Sequence, residues 1–441
     1  MKPIKTLFLG AALAFAPFTV SALDLLEAYE LALANDPEYL AAQAANRAAQ
    51  EARPQALAGL LPNAQATGNT SYNDQESSSQ FRAGSGSEKF NSHGYQLSLR
   101  QPVFRWDRWV QLEQADLSIQ QANAVLDAAH QDLIQRITSR YLDVLRAEDN
   151  LEFVRKTKEA IGRQLNQAEQ RFEVGLIAIT DVEEAKAAYD LAVTDEIRAE
   201  NDIANAHEAL REIIGEYHDE VQGFKDDLPL ERPDPEDIDA WTAIALEQNL
   251  NLQAAQFAAE NAREEIRRRS ADGHYPTLDV VASRSYNNSG GGNFGGSTNK
   301  TDAIGLELAV PLYSGGFASS RVEEARHLYR QATDQREQAR RAAQRLARDA
   351  YLGVLADISR IKAFKQSLVS TQTALKATEA GFQVGTRTTV DVVNAQVDRF
   401  RASRDLAASR YDYVINSLAL KLAAGTLSPE DIEYFSSWLE Q

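Results

Sequence analysis

Two long stretches of the chain carry apolar residues spaced three and four positions apart. The first runs over Arg108–Val174 and the second over Ser320–Val384, with almost no helix-breaking residues inside. This spacing predicts amphipathic helices, and at about 1.5 Å per residue each would extend for roughly 100 Å. Such a helix cannot bury its apolar stripe on one compact core, so it needs partner helices along its length, as in a coiled coil or helical barrel. A soluble coiled-coil scaffold would give the same pattern in these segments taken alone.

The long helices belong to a unit that occurs twice. The segment Arg171–Gly175 returns as Gly381–Gly385, and Gln101–Phe104 returns as Val310–Tyr313, in each case roughly 210 positions later. Several motifs that recur in the same order at a nearly constant spacing indicate an internal duplication whose loops differ in length.

The duplication predicts two repeats of one layout: helix, β-hairpin, long helix and helix. We assign residues 23–228 to the first repeat and 238–425 to the second, with a proline-rich linker at 229–237 and a C-terminal segment at 426–441. The remaining helices are predicted at Leu25–Gly59, Thr180–Ile214, Ile238–Ala271 and Thr388–Ala424.

Between the first two helices of each repeat, the residues alternate with a period of two. Such runs occur at Asn63–Tyr72, Tyr95–Val103, Leu278–Tyr286 and Ile304–Leu312. About ten residues is the length that a tilted strand needs to cross an outer membrane. Aromatic residues gather where the strands give way to helices, as expected of an interfacial belt. Two hairpins that cap a helical bundle in water are the alternative.

Four strands are too few to close a barrel, and hydrocarbon does not tolerate an open sheet edge. If the strands cross a membrane, several copies of the chain must therefore associate. Two, three or four copies would contribute eight, twelve or sixteen strands, and the residues alone leave this choice open.

The amino terminus has the features of a secretory signal peptide. Two lysines precede an apolar run over Leu7–Val20, and small residues follow at Val20-Ser21-Ala22, so residues 1–22 are predicted to be removed. The run is too short for a membrane-spanning anchor. The sequence contains no cysteine, which excludes both disulfides and a lipid-modified cysteine. The formal net charge of −18 argues against nucleic acid as a partner.

No arrangement of catalytic or metal-binding residues stands out. The six histidines are scattered, without a metal-ligand spacing on one helix. Gly290–Gly296 lacks the Gly-Lys-Ser/Thr ending of a phosphate-binding loop, and we interpret it as an extracellular loop with Asp74–Lys89 as its counterpart. The arginines over Arg340–Arg348 are interpreted as a solvated helix face. We therefore predict a protein that is not an enzyme and needs no metal or cofactor.

The most specific motifs lie around the turns that follow the long helices, at residues 170–182 and 379–392. Together with residues 272–279 and 410–416 they resemble the TolC family of outer-membrane exit ducts, and the resemblance extends from Leu23 to about Tyr434. It implies an α+β membrane protein with two internal repeats. Four strands of each copy would contribute to a trimeric, twelve-stranded outer-membrane β-barrel, joined to a long α-helical periplasmic coiled-coil barrel.

The resemblance also implies a function and partners. Members of the family are passive conduits, gated at the periplasmic end, in tripartite efflux pumps or type I protein secretion. We therefore expect a homotrimer in outer-membrane lipid that docks with a periplasmic adaptor and an inner-membrane ABC, RND or major-facilitator transporter. A periplasmic coiled-coil adaptor or scaffold of an export system is the alternative, and a secreted enzyme is a third interpretation that no catalytic constellation supports.

For the periplasmic gate, the resemblance implies roles for Thr180 and Asp181 on one inner helix and for Arg387 near the other. Asp181 and Arg387 would form a charge-assisted latch, which contributes only about 0–1 kcal/mol per pair when exposed. A tyrosine that bonds across the gate in the family is replaced by Phe382, which has no hydroxyl. A weaker latch is therefore expected.

For the entrance constriction, the resemblance implies rings of aspartate. Asp391 occupies the first of the two positions and Asn394 the second, so one carboxylate ring is expected instead of two. The remaining ring would still attract cations. The turns at Gly175 and Gly385, where a positive φ is expected, are the expected contacts with the adaptor.

Overall fold

The computed structural model describes residues 22–77, 86–225, 228–292 and 295–439. The predicted signal peptide lies outside these residues except for Ala22, and so does the middle of the predicted loop at Asp74–Lys89.

Ten helices and four strands form the described part of the chain. In order they are α1 Leu25–Asn35, α2 Pro37–Gln50, α3 Ala52–Ala58, β1 Asn63–Ser77, β2 Gly86–Phe104, α4 Trp106–Glu173, α5 Ile179–Ile214, α6 Ile238–Gln248, α7 Leu250–His274, β3 Thr277–Ser289, β4 Ser297–Ala309, α8 Phe317–Gln383, α9 Thr389–Ala424 and α10 Pro429–Ser436. Helices, a hairpin, a long helix and a second helix thus follow one another twice. The exact division into repeats, linker and C-terminal segment stays a prediction.

The long helices are continuous, as predicted, with 68 residues in α4 and 67 in α8. Each packs against the helix that follows it, and α4 also packs against α7 and α9. Among the described residues, no helix combines the length and the apolar character needed to cross a bilayer.

The helices that open the two repeats are broken, and the prediction of one continuous helix in each place was wrong. Asp36 interrupts the first because its side chain accepts the backbone N–H of Tyr39 at 2.7 Å and caps α2, which begins at Pro37. Asn249 interrupts the second in the same way, accepting from the N–H of Leu252 at 3.0 Å. In both places a side-chain cap starts a new helix where the apolar period alone would continue the old one.

The four strands form one antiparallel sheet in the order β1-β2-β3-β4. The first hairpin is longer than predicted, since β1 reaches Ser77 and β2 starts at Gly86. The ends of the predicted loop at Asp74–Lys89 are therefore paired strand, which is a correction. The last strand ends at Ala309, before Pro311, which has no N–H to donate to a ladder.

The sheet has one apolar and one polar face. On β2, Tyr95, Leu97 and Leu99 point to one face and are each more than 40% exposed, whereas Ser92 and Ser98 on the other face are half-buried. The exposed side chains on one face of the sheet are therefore mainly apolar, and those on the other face are polar.

An ion network fixes the base of the sheet to α4. The side chain of Asp279 on β3 is only 3% exposed and accepts from Arg100 on β2 at 2.7 Å. It also accepts two bonds from Arg105, the residue just before α4, at 3.1 and 2.7 Å. Arg100 donates in turn to Glu307 on β4 at 2.9 Å. Three strands and the start of the long helix are thus joined around one buried carboxylate.

The arginines over Arg340–Arg348 are exposed and ion-paired. Arg340 and Arg341 both bind Glu337, and Arg345 binds Asp349. Arg348 reaches across to Asp239 on α6 at 2.6 Å. The arrangement agrees with the predicted solvated face.

The main apolar core lies midway along the long helices, where α1, α6 and α10 pack on them. Tyr141 on α4 is fully buried here, and its hydroxyl donates to the carbonyls of Leu23 and Gln222 at 2.9 and 2.8 Å. Both ends of the described chain join this core, because Leu23 bridges to Val221 and Leu439 to Phe224.

Glu148 lies on α4 two turns beyond Tyr141. Burial, followed by the charges of Asp149 and Glu220, raises the pKa of its carboxyl from 4.5 to about 7. A carboxyl whose folded pKa exceeds its unfolded value binds protons more tightly in the folded state. Its stabilising contribution is therefore complete below the unfolded pKa and is lost as the pH rises through about 7.

We expect Glu148→Gln to raise the free energy of unfolding at pH 8 by roughly 1–3 kcal/mol, because glutamine replaces the neutral acid and each pKa unit corresponds to about 1.4 kcal/mol. At pH 5.5 the gain should shrink sharply. Thermal melts followed by circular dichroism at both pH values test this, with Glu212→Gln at an exposed position of α5 as the control. Equal pH dependence in the two variants would contradict the assignment.

Candidate functional site

The turns that follow α4 and α8 lie at the same end of the molecule. Helices α4 and α9 run antiparallel, with the guanidinium of Arg404 over the ring of Phe153 at 4.6 Å and the ammonium of Lys156 over Phe400 at 5.9 Å. Further along, Arg163 donates to Gln396 at 3.3 Å. If the same pairing continues along the two helices, the last residues of α4 lie beside the first residues of α9.

Both turns end their long helix with a glycine in the left-handed region. The φ angle is +77° at Gly175 and +79° at Gly385. The residue after each glycine donates its N–H back into the helix, from Leu176 to Arg171 at 2.9 Å and from Thr386 to Gly381 at 2.8 Å. These bonds satisfy carbonyls at the helix end. A side chain added at either glycine would have no neighbouring atom within 4 Å, but the positive φ would strain the backbone of any other residue there.

The four predicted gate residues are all found at this end. Thr180 and Asp181 are exposed on the first turn of helix α5. Phe382 is half-buried on the last turn of helix α8, and Arg387 is exposed in the connection between α8 and α9. Within one protomer, and among the described residues, Asp181 and Arg387 form no ion pair with each other. The stem of Arg387 instead lies over Gly381, with its Cγ only 2.8 Å from where a Cβ would stand. The latch stays a prediction.

Asp391, the predicted constriction residue, also caps α9. Its carboxylate accepts from the backbone N–H and the hydroxyl of Thr388 at 2.8 and 2.9 Å, and its own N–H donates to that hydroxyl at 3.2 Å. The Thr388 N–H, then the hydroxyl and the charge of Arg387, hold the pKa of Asp391 below its ordinary value. The carboxylate is therefore ionised at neutral pH. Asn394 is exposed on the same helix, one turn further along.

This capping box was not predicted from the sequence, although the sequence contains the motif that indicates it. A threonine followed three positions later by an acidic residue, just before an apolar helix, is a recognised start of a helix. The first repeat has Ala178 in the place of Thr388, so α5 has no side-chain cap. Asp181 and Asp391 occupy corresponding positions but only Asp391 has a partner in its own helix start.

Apolar side chains at the tips were also missed. Val174, Leu176 and Val384 are between 69% and 75% exposed. Exposed apolar residues that cluster on one tip commonly mark a contact surface.

The comparison with protein families decides the identity of the fold. The sequence model described as outer membrane efflux protein matches residues 28–216 and 241–426, which is most of the described chain. The chain belongs to the outer membrane efflux protein family. Its two matched segments begin and end close to the limits of the two predicted repeats.

Relatives of known function support the same family. The chain is 38% identical over 435 residues to the outer membrane protein TolC of Vibrio cholerae, covering 98% of this chain and 97% of that protein. It is 27% identical over 437 residues to the alkaline protease secretion protein AprF of Pseudomonas aeruginosa, covering 98% and 91%. The resemblance to the TolC family, stated from the turn motifs, is confirmed.

The fold is that of solved outer-membrane channels. The crystal structure of the outer membrane protein VceC from Vibrio cholerae has a TM-score of 0.74 at 21% identity, covering 91% of this chain and 96% of that one. The predicted fold class is therefore confirmed, as is a location in the outer membrane with a periplasmic extension. The described helices form the extension and the four strands form the membrane part.

We expect Thr388→Ala to loosen the first turn of α9, since it removes both bonds of the threonine hydroxyl and leaves only the bond from the backbone N–H of residue 388 to Asp391. Amide hydrogen exchange over residues 389–393 should become faster by on the order of fivefold, the effect of losing a typical cap. The neighbouring Thr389 provides a matched control, because its buried hydroxyl has no partner among the described residues. Thr389→Val should leave the exchange unchanged, and equal effects of the two changes would rule out the cap.

Proposed function

We propose that three copies of this outer-membrane exit duct close one barrel of twelve strands, and that their helices form one periplasmic tunnel. The observation that carries the proposal is the four-stranded sheet with an exposed apolar face and two edges, β1 and β4, that are each paired on one side only. Unpaired backbone groups are not tolerated in lipid, so each edge requires a strand of another copy. The family resemblance favours three copies over two or four.

The duct serves efflux and type I secretion, as its family and relatives indicate. These relatives are channel proteins and not enzymes, and we propose that cargo passes through this chain without chemical change. A soluble coiled-coil adaptor, the alternative that the helices left open, would not need a sheet with an exposed apolar face.

The periplasmic tip supports a gate made of weak contacts. We propose that Asp181 of one inner helix pairs with Arg387 of another in the closed assembly, with Thr180 beside them and Phe382 packed below. Arg387 is free to do so because it makes no ion pair in its own protomer among the described residues. Since Phe382 cannot donate a hydrogen bond, closure depends on few polar contacts, and a docked partner can open it at a small energetic cost.

The constriction is proposed to consist of one ring of Asp391 carboxylates, with the uncharged Asn394 at the position of the second ring. The capping box supports this role, because it holds each carboxylate in a fixed place and keeps it ionised. A fixed ring of negative charge favours cations over anions.

The exposed tips support docking of a periplasmic adaptor at Gly175 and Gly385. Leu176 and Val384 beside these glycines are apolar and exposed, and burial of such side chains is the main favourable contribution to most contacts between proteins. We propose that the adaptor covers them and links the duct to an inner-membrane ABC, RND or major-facilitator transporter.

We expect Asp391→Asn to lower the preference for cations in planar bilayers, because it removes the ring of charge and keeps a side-chain acceptor for the cap. The reversal potential in a potassium chloride gradient should move toward zero. Glu430→Gln, at an exposed position of α10, should leave it unchanged. An unchanged potential in Asp391→Asn would contradict the proposed constriction, and the absence of any conductance from the wild-type protein would contradict the duct itself.

Contact with the adaptor can be tested by crosslinking, since the chain has no natural cysteine. We expect Leu176→Cys and Val384→Cys, treated in cells with a short thiol-to-amine crosslinker, to give adducts with one periplasmic protein. Glu212→Cys, near the other end of α5, is the matched control and should give none. Adducts from the control alone would place the docking surface elsewhere.

A further inference from the structure

The apolar face of the sheet changes in character from its base to its hairpins. Near the base it carries Leu278 and Leu308, which are paired with each other, and Phe104 beside them. Towards the hairpins, the ring of Tyr95 stacks on that of Tyr286 at 5.4 Å. The strand from Leu278 to Tyr286 spans roughly 27 Å, or about 20 Å along the membrane normal at a usual tilt. The two aromatic levels are therefore slightly closer together than the roughly 25 Å height of the apolar band in outer-membrane barrels.

Two cations lie at the upper aromatic level. Lys300 is paired with Tyr286 in the sheet, and its ammonium lies 5.8 Å from the centre of the tyrosine ring. Arg284 is one position lower on the same face and is 65% exposed. Diagonal neighbours on adjacent strands are about 7–8 Å apart at their Cα atoms, so both side chains can reach one ligand.

The two cations have only one ion-pair partner between them in the described part of the chain. Arg284 contacts Asp302 through its Nε atom at 3.5 Å, a long ion pair, and its two terminal nitrogens bind no other group there. Lys300 forms no ion pair in the described residues. Two cations thus face one carboxylate, and the excess charge is positive although the whole chain is strongly acidic.

A shallow groove begins directly below Arg284, towards the middle of the membrane. Its volume is about 640 Å³, and Arg284 and Asp302 lie at its upper rim. The other residues that line it are mainly apolar: Ala64, Ala66, Leu97, Leu99, Ala282, Ala303 and Ile304, together with the polar Gln65, Ser98 and Ser283. The alanines are smaller than the neighbouring leucines and isoleucine. The space above the alanines can therefore hold a hydrocarbon chain that lies along the sheet.

We propose that this face binds a phosphorylated glycolipid of the outer leaflet. Its phosphate lies between the terminal nitrogens of Arg284 and the ammonium of Lys300, its sugar rests against Tyr286, and an acyl chain fills the groove. Arginine presents a planar fork that matches phosphate oxygens, and lysine adds a point charge. The order of the parts along the membrane normal is that of a lipid: charged group at the interface, aromatic rings beside it and apolar groove beneath.

The proposal is tested by native mass spectrometry of the detergent-solubilised, delipidated full-length assembly. The probes are a doubly phosphorylated glucosamine disaccharide lipid, its dephosphorylated form and phosphatidylglycerol. Arg284→Gln and Lys300→Gln should each weaken binding of the phosphorylated glycolipid about fivefold, and the double variant about 25-fold. Asp302→Asn should strengthen it, because it removes the competing carboxylate.

Lys89→Gln is the matched control. Lys89 lies on β2 beyond the upper aromatic level and is paired with Asp74 at 3.3 Å, so its removal should leave binding unchanged. Oligomers that dissociate only on heating show that each variant is folded. The proposal is overturned if the dephosphorylated lipid binds as tightly as the phosphorylated one, if phosphatidylglycerol binds equally well, or if Lys89→Gln weakens binding as much as Arg284→Gln.

Discussion

The structure depends on one constraint, the need of every backbone N–H and C=O group in a bilayer for a hydrogen-bonding partner. Within one chain, β2 and β3 are paired on both sides, but β1 and β4 are each paired on one side only. The sheet is therefore incomplete as a membrane structure, and we propose that the edges of other copies supply its missing partners. Association of the chains is thus a condition of insertion and follows from the strands themselves.

The helices of a single chain are also incomplete, because they leave apolar side chains exposed to water. The core around Tyr141 is compact because α1, α6 and α10 cover the long helices there. Away from it, α5 exposes Leu191 and Ile197 by 68% and 62%, and the tips expose further apolar residues. The ion network around the buried Asp279 connects the sheet to the start of α4, so the position of the sheet determines where α4 begins. Closure of the barrel would therefore also determine the positions of the helices and of their tips, where we propose the gate and the adaptor contacts.

Much of this fold could be predicted from local patterns. Three local patterns occur twice in the sequence: the apolar period of α4 and α8, the alternation in the strands and the glycines of the two turns. Because each pattern is repeated, its recurrence argues against a chance origin. The breaks at Asp36 and Asn249 were missed because a single side-chain cap there outweighs a continuing apolar period. The extension of the first hairpin was missed because Asp74 and Lys89 lie where both faces are polar, so the strand has no alternation to recognise. The Asp279 network joins residues more than 170 positions apart, and no local pattern reports such a contact. The latch between Asp181 and Arg387 needs a second copy of the chain and stays a prediction.

Amide hydrogen exchange of the assembled protein in detergent tests the central claim most directly. The outward N–H groups of β1 and β4 have no partner in one chain, so their exchange reports whether another copy supplies one. We expect both edge strands to be protected to the same extent as β2 and β3, and we expect dissociation by heat to remove the protection of the edges together with the oligomer. Rapid exchange along β1 and β4 in the intact protein, with β2 and β3 protected, would show open edges and contradict the account.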